Sequence, residues 1–293
     1  MSPSRGVARR VLPGLLLLLA TGCEHYESLR ALPAPVLRTH YLIDFEYYRD
    51  AARLLEASGY LLIFNPGSRE VPLDVTVYFE DREPQRFQLT ARAGATTWSS
   101  VTEWPVKPEG RFALAVASAE PVIVQASIQW DNTGGDLGPK AAARSAAGRR
   151  EAATSYTAIP DLAERWYLAD GLVIDKPEES WLRESEGTIV LNPGDAPARV
   201  TLTTFYRWFV RQHTIEVPPR RVRHVRMDDI VLANRHYGLR VASDRPVAVQ
   251  SRRTMYWYDS TELMSFWSVP LVPLARDLLE GAAPTPAPAP TAG

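Results

Sequence analysis

Two segments of this chain concentrate side chains suited to binding anions, sugars or bases. Val217-Pro218-Pro219-Arg220-Arg221-Val222-Arg223-His224-Val225-Arg226 is the densest basic run in the sequence. On a strand it presents guanidinium forks to carboxylate or phosphate groups. The plainer account is a solvated face whose arginines pair with nearby acids, and a charge run alone favours that account. The second segment is Gln250-Ser251-Arg252-Arg253-Thr254-Met255-Tyr256-Trp257-Tyr258, followed by Phe266-Trp267. Aromatic rings beside hydrogen-bonding groups make platforms for sugar rings. Alternate aromatics also fill the core of a β-sandwich. Successive side chains of a strand point to opposite faces, so Met255, Tyr256 and Trp257 do not all enter one core. Tyr256 or Trp257, or both Met255 and Trp257, then meet a ligand, a neighbouring domain or a subunit. The candidate ligand-binding set is Arg220, Arg221, His224, Arg226, Gln250, Arg253, Tyr256 and Trp257.

Catalytic signatures are missing from the sequence. It contains no Gly-x-Ser-x-Gly elbow, no His-Glu-x-x-His helix, no Walker loop and no Gly-x-Gly-x-x-Gly turn. His25, His40, His213, His224 and His236 form no pair at metal-ligand spacing. The expectation is a protein without enzymatic activity, cofactor or metal. A glycan hydrolase using Asp170, Glu186 or Asp229 has the least support. It requires two carboxyl groups to converge at about 5–10 Å.

Cys23 is the single cysteine of the chain. It closes Leu18-Leu19-Ala20-Thr21-Gly22-Cys23, behind a basic stretch with Arg5, Arg9 and Arg10 and an apolar stretch from Val11 to Ala20. That order is the layout of an export signal. Its last four residues resemble the bacterial lipoprotein signal, in which the mature chain begins with a lipid-modified cysteine. Ala20 stands where leucine is usual. The expected location is the cell envelope, with Cys23 lipidated and the membrane as a partner through that anchor. Glu24 is not the aspartate associated with inner-membrane retention, which favours the outer membrane. Residues 1–22 hold three of the 33 basic residues and none of the 34 acidic ones, so the mature chain is nearly balanced. Nothing in that balance argues for nucleic acid. With its one cysteine committed to lipid, the chain has no disulfide, and stability must come from packing and strand pairing.

The elements around these residues read as all-β, in two tandem β-sandwich (jelly-roll-like) domains. The expected layout is a signal peptide over 1–22, a spacer over 23–39, domain 1 over 40–131, a linker over 132–159, domain 2 over 160–275 and a disordered Ala/Pro-rich tail over 276–293. The two bodies repeat each other. Tyr41-Leu42-Ile43-Asp44 answers Tyr167-Leu168-Ala169-Asp170, and Asn65-Pro66-Gly67 answers Asn192-Pro193-Gly194. Val116-Ala117-Ser118 and Pro121-Val122 answer Val241-Ala242-Ser243 and Pro246-Val247. Leu73, Val75, Val77 and Phe79 alternate with small or polar residues, the period of a half-buried strand. The Asn-Pro-Gly triplets predict type II turns, with glycine at positive φ. Arg49 to Ser58 predicts one short helix stopped by Gly59.

The second body resembles the sensory rhodopsin transducer family. The resemblance is carried by Trp166 to Gly171, Leu191-Asn192-Pro193-Gly194-Asp195, Ala198, Val200, Phe205-Tyr206, Val217-Pro218, Arg220-Arg221, His224-Val225-Arg226, Asp229, Pro246-Val247, Val249-Gln250 and Arg253. The first body resembles it more weakly: Ala91 to Gly94 occupy the region of the arginine segment, and Ile128 stands where the second has Arg253. The resemblance implies an oligomer-forming, sandwich-like binding or signalling domain, with sugar binding suggested by fold alone. The rhodopsin partnership, being cytoplasmic, is not expected of an exported chain. The resulting expectation is a non-enzymatic, lipid-anchored envelope binding protein that recognises carbohydrate or an envelope protein through domain 2. The alternative is a structural subunit of an envelope complex, a homo-oligomer with its aromatics buried between subunits and no small ligand.

Overall fold

Strict alternation builds the strands. In β3 (Val71–Tyr78), Val71, Leu73, Val75 and Val77 are buried while Pro72 and Asp74 face outward. Its counterpart β11 (Ala198–Phe205) buries Ala198, Val200 and Leu202 in the same way. The computed structural model describes residues 38–50, 55–132, 150–175, 182–257 and 263–273. The segments expected to be signal peptide, spacer (up to residue 37) and tail, with Cys23, lie outside these residues.

The first body contains β1 (Arg38–Asp50), β2 (Leu55–Asn65), β3, β4 (Gln85–Ala91), β5 (Ala95–Ser100), β6 (Gly110–Ser118), β7 (Ile123–Asn132) and β8 (Arg150–Thr157). One layer runs β4-β3-β6-β1 and the other groups β5, β2, β7 and β8. The layers share β1, which pairs with β6 along most of its length and with β2 at Tyr48–Asp50. The second body contains β9 (Ala163–Gly171), β10 (Leu182–Asn192), β11, β12 (Val210–Val217), β13 (Arg221–Arg226), β14 (Tyr237–Trp257), β15 (Leu263–Pro270) and β16 (Val272–Pro273). Here β14 crosses between layers. Its first part pairs with β11 and β9, and Ala248 to Trp257 pair with β10. All strand pairs are antiparallel, and no α-helix occurs among the described residues.

The duplication holds element by element, as all-β tandem sandwiches. A short 3₁₀ turn follows β5 at Val101–Glu103 and follows β13 at Met227–Asp229. Tyr41 bridges to Ile159 after β8, and Tyr167 pairs with Val272 after β15. The unbroken β14 corresponds to β6 and β7, which are separate strands in the first copy.

Three sequence expectations are corrected. The segment expected to be helical supplies the end of β1 and the start of β2, with Arg49 paired to Glu56. Gly59 is no helix stop. It lies within β2, where a Cβ would come within 2.6 Å of the Phe45 ring. The linker expected over 132–159 contains β8, which completes the first sandwich by pairing with β7 from Gln125↔Thr157 to Asn132↔Arg150. Neither Gly67 nor Gly194 is among the residues at positive φ. The turns are held by asparagine. Asn65, fully buried, accepts from the Gly67 amide at 2.9 Å and donates to Arg69 and Ala91 carbonyls. Asn192 accepts from Gly194 at 3.1 Å and donates to carbonyls of Ala196, Val217 and Pro218. A Cβ at Gly67 would lie 3.0 Å from Asn65 Oδ1, so glycine keeps room for the oxygen.

The cores explain why the copies stay together. One cluster fills the first sandwich around Phe45, Trp104 and Phe112. The other fills the second sandwich but also takes in Ile43, Tyr78, Ala113, Ala115 and Ile159 of the first copy. The outer face of one first-copy layer is thus partly covered by the second copy. Trp166 anchors this cluster, with Nε1 donating to the carbonyls of Ala163 and Val247, each at 3.0 Å. Each large apolar side chain buried in this way stabilises by about 1.5–3 kcal/mol.

Candidate functional site: a cleft between the two copies

Adjacent arginines on β14 point to opposite sides of the strand and do different work. Arg252 faces the first copy. Its Nη2 lies 2.5 Å from Glu46 Oε2 and its Nε 3.3 Å from Asp44 Oδ2. Burial alone would lower the guanidinium pKa, but the two carboxylates push it upward. Glu46 also meets Arg111 at 3.3 Å. Ser268 donates to Asp44 at 2.5 Å, and Gln250 Nε2 meets Ser268 Oγ at 2.6 Å. Gln250 is therefore part of the lock between copies and is fully buried.

Arg253 faces the other side, where three carboxylates converge on it. Glu186 is at 2.6 Å, Glu184 at 2.9 Å and the exposed Asp170 at 3.6 Å. Burial raises the carboxyl pKa of both Glu184 and Glu186, against the pull of Arg253. Tyr237 donates a short hydrogen bond to Glu186. The Tyr237 ring reaches Glu186 by passing over Gly171, where a Cβ would lie 2.4 Å from the ring. Burial and then the Glu186 charge push the Tyr237 hydroxyl upward, keeping it a donor. Glu186 and Asp170, two of the carboxylates a hydrolase would draw on, both engage the Arg253 guanidinium. Asp229 lies elsewhere, paired with Arg226 at 3.8 Å.

The basic run is also engaged. The turn between β3 and β4 reaches onto β13, where Arg221 meets Glu83 at 2.5 Å and Arg223 meets Glu80 at 3.0 Å. His224 Nδ1 lies 3.2 Å from Glu80, and the Val222 amide donates to the Phe79 carbonyl at 3.2 Å. Burial acts to raise the Glu80 carboxyl. The His224 hydrogen bond and the charges of His224 and Arg223 outweigh it and hold Glu80 below the ordinary value. Arg220 adopts φ 55° and pairs with Asp195 at 3.5 Å. Arg226 is largely exposed beside Asp228 and Asp229. Tyr256 and Trp257 end β14 opposite Arg183 and Leu182, and their side chains lie outside the described residues. The six candidates whose side chains are described therefore do not form one face. Arg221 and His224 hold the first copy's turn, Gln250 sits in the buried lock, and Arg253 sits in the carboxylate cage.

The open space lies elsewhere. A cleft of about 890 Å³ runs between the uncovered part of the β4-β3-β6-β1 face and the Asn192–Ala196 turn of the second copy. Its floor is the outward-facing set of that layer: Thr39 and Tyr41 on β1, Asp74 and Thr76 on β3, and Arg86 and Gln88 on β4. Gln88 Nε2 donates to Asp74 Oδ1 at 3.1 Å, which fixes the amide orientation. The far wall carries Leu162, Asp195, Arg245 and Pro246. Arg245 is steadied by donating to the Pro197 carbonyl at 3.1 Å. Hydroxyls, an amide, carboxylates and guanidinium groups thus line one space, with the half-buried Tyr41 ring among them. Pockets of this size are typical of small-molecule sites. The sequence reading missed these floor residues. Their only signal was alternation on β3 and β4, whose polar phase reads as solvent-facing until the second copy is docked beside it.

Comparison with known proteins agrees on the second copy. The family model described as Anabaena sensory rhodopsin transducer matches residues 163–268. No curated protein matches the chain. Among solved structures, a protein titled Thermotoga maritima 1070 is similar at 20% identity, covering 38% of this chain and 95% of its own, with a TM-score of 0.34. The Anabaena sensory rhodopsin transducer is similar at 26% identity, covering 30% of this chain and 91% of its own, with a TM-score of 0.26. The second body of this chain is a sensory rhodopsin transducer-like domain.

Proposed function

We propose that this chain is a non-enzymatic binding protein of the bacterial cell envelope, tethered through lipid on Cys23, and that the cleft between its copies holds a carbohydrate. The observation that carries this reading is the cleft floor. Thr39, Thr76, Asp74 and Gln88 offer hydroxyl, carboxylate and amide groups on one face, with Arg86 beside them and the Tyr41 ring at the edge. Sugars are bound by such alternating donors and acceptors with a ring to stack on. A binding role, not a catalytic one, is supported by the state of the acids. Glu184, Glu186 and Asp170 are tied to Arg253, and Asp44 and Glu46 to Arg252. This moves the expected ligand from the arginine and aromatic segments of the second copy to the junction of both.

A glycan array of bacterial surface polysaccharides, probed with the chain carrying Cys23→Ser, tests the reading. Selective retention of one glycan class is the expected result. Retention that persists unchanged in an Asp74→Ala/Gln88→Ala variant sinks the cleft as the site. Membrane fractionation of wild type against Cys23→Ser tests the anchor; equal membrane retention of both contradicts it.

A further inference from the structure

Inside the chain, the first copy's β3–β4 turn docks on the outer edge of β13 in the second copy. The contact has two parts, a backbone hydrogen bond from Val222 to Phe79 and the ion pairs of Glu80 and Glu83 with Arg221, Arg223 and His224. Because the copies are homologous, each partner in this contact has a counterpart. The turn corresponds to Tyr206–Phe209 between β11 and β12. The edge corresponds to β5, since Asn192 pairs with Arg221 exactly where Asn65 pairs with Ala95. The same register places Trp98 at the position of His224, opposite Leu62 as His224 is opposite Ile189.

Both counterparts are exposed, and both have changed chemistry together. The second turn has Arg207, Trp208 and Val210 where the first has Glu80, Asp81 and Glu83, and Trp208 is 81% exposed and Val210 52%. Tyr206 and Phe209 stack at 4.6 Å, which stiffens the turn. Arg207 lies over the Trp208 ring. The β5 edge carries no arginine between Ala95 and Ser100. It presents Trp98, 66% exposed, above a shallow pocket of about 300 Å³ with Phe64 and Ile123 on its walls. Exposed apolar groups grouped in this way mark interaction surfaces.

We propose that the Tyr206–Phe209 turn of one chain docks on the Trp98 edge of a second copy of this chain, repeating between chains the contact made within one. The occupant follows from the template and from complementarity. An aromatic turn meets an aromatic edge, and Arg207 meets Trp98 where Glu80 meets His224. The chemistry also sorts the partners: the arginine-bearing turn is repelled by the Arg221–Arg226 edge, whereas the cation beside β5, Arg92, is held on the Thr96 carbonyl at 3.4 Å. Such a contact is heterologous, so it propagates or closes into a ring. This inference is independent of the carbohydrate reading.

The test is light scattering after size-exclusion chromatography on the chain carrying Cys23→Ser. The expected mass is at least twice that of one chain. Trp208→Asp alone and Trp98→Asp alone are each expected to reduce it to one chain. An equimolar mixture of these two variants is expected to recover a two-chain species, because each retains the surface the other lacks. That recovery also shows that both variants fold. A wild type that stays monomeric at its highest soluble concentration overturns the proposal. So does association that survives both substitutions, or a mixture that stays monomeric, which points to a symmetric contact.

Discussion

Arg252 in the second copy places its Nη2 2.5 Å from Oε2 of Glu46 in the first, across 206 residues of sequence. Both side chains are about 5% exposed. Removing one partner of such a pair leaves uncompensated buried charge, so Arg252→Met is expected to cost about 3–5 kcal/mol. Urea unfolding measures it. Adding Asp44→Asn and Glu46→Gln to that variant is expected to restore part of the loss, since the stranded charges disappear. A cost below about 1 kcal/mol would show that the lock is not a structural element.

Arg253 predicts a pH dependence. Burial holds Glu184 and Glu186 above the ordinary carboxylate value of 4.5. Their folded forms then bind protons more tightly than the unfolded chain does. Their effect on stability is therefore most favourable in acid and is lost as pH rises from 4.5 through the raised values. Arg253→Met removes the cation that limits this rise, so the variant is expected to lose stability more steeply over that window. Parallel profiles for wild type and variant in thermal unfolding would contradict the cage.

Glu80 predicts the opposite sign. Its pKa is held below 4.5, so the docking of the first copy's turn stabilises above that value and weakens as pH falls through the lowered one. Glu80→Gln is expected to flatten this acid limb, measured as the melting temperature between neutral and acidic pH. An unchanged limb would place the acid sensitivity elsewhere.

The two asparagines predict penalties of the same sign at homologous sites. Asn65→Ala and Asn192→Ala each leave buried carbonyls without a donor, which costs about 1–3 kcal/mol per unsatisfied group. Denaturant midpoints read this directly. A loss at one site only would show that the turns have diverged in function.

The strands and the duplication were legible because alternation and the paired Asn-Pro-Gly triplets survive in the sequence. β8 was not, because Arg150-Glu151-Ala152-Ala153-Thr154-Ser155-Tyr156-Thr157 offers only Tyr156 as a large apolar group. The turn chemistry was misassigned to glycine because the asparagine oxygen acts two residues back, invisibly to composition. Arg221 and His224 read in the sequence as candidate ligand-binding groups, and the structure gives them acidic partners within the chain. Their partners Glu80 and Glu83 lie more than a hundred residues away and meet them only after the copies dock. The cleft is hidden for the same reason.

The most direct measurement is a calorimetric titration of the array's strongest glycan into the chain and into a Thr76→Trp variant. That substitution fills the cleft floor from an outward-facing strand position. The account predicts that wild type binds and that Thr76→Trp loses at least about tenfold in affinity, about 1.4 kcal/mol, while Arg226→Ala binds as wild type. Undiminished binding by Thr76→Trp would contradict the account.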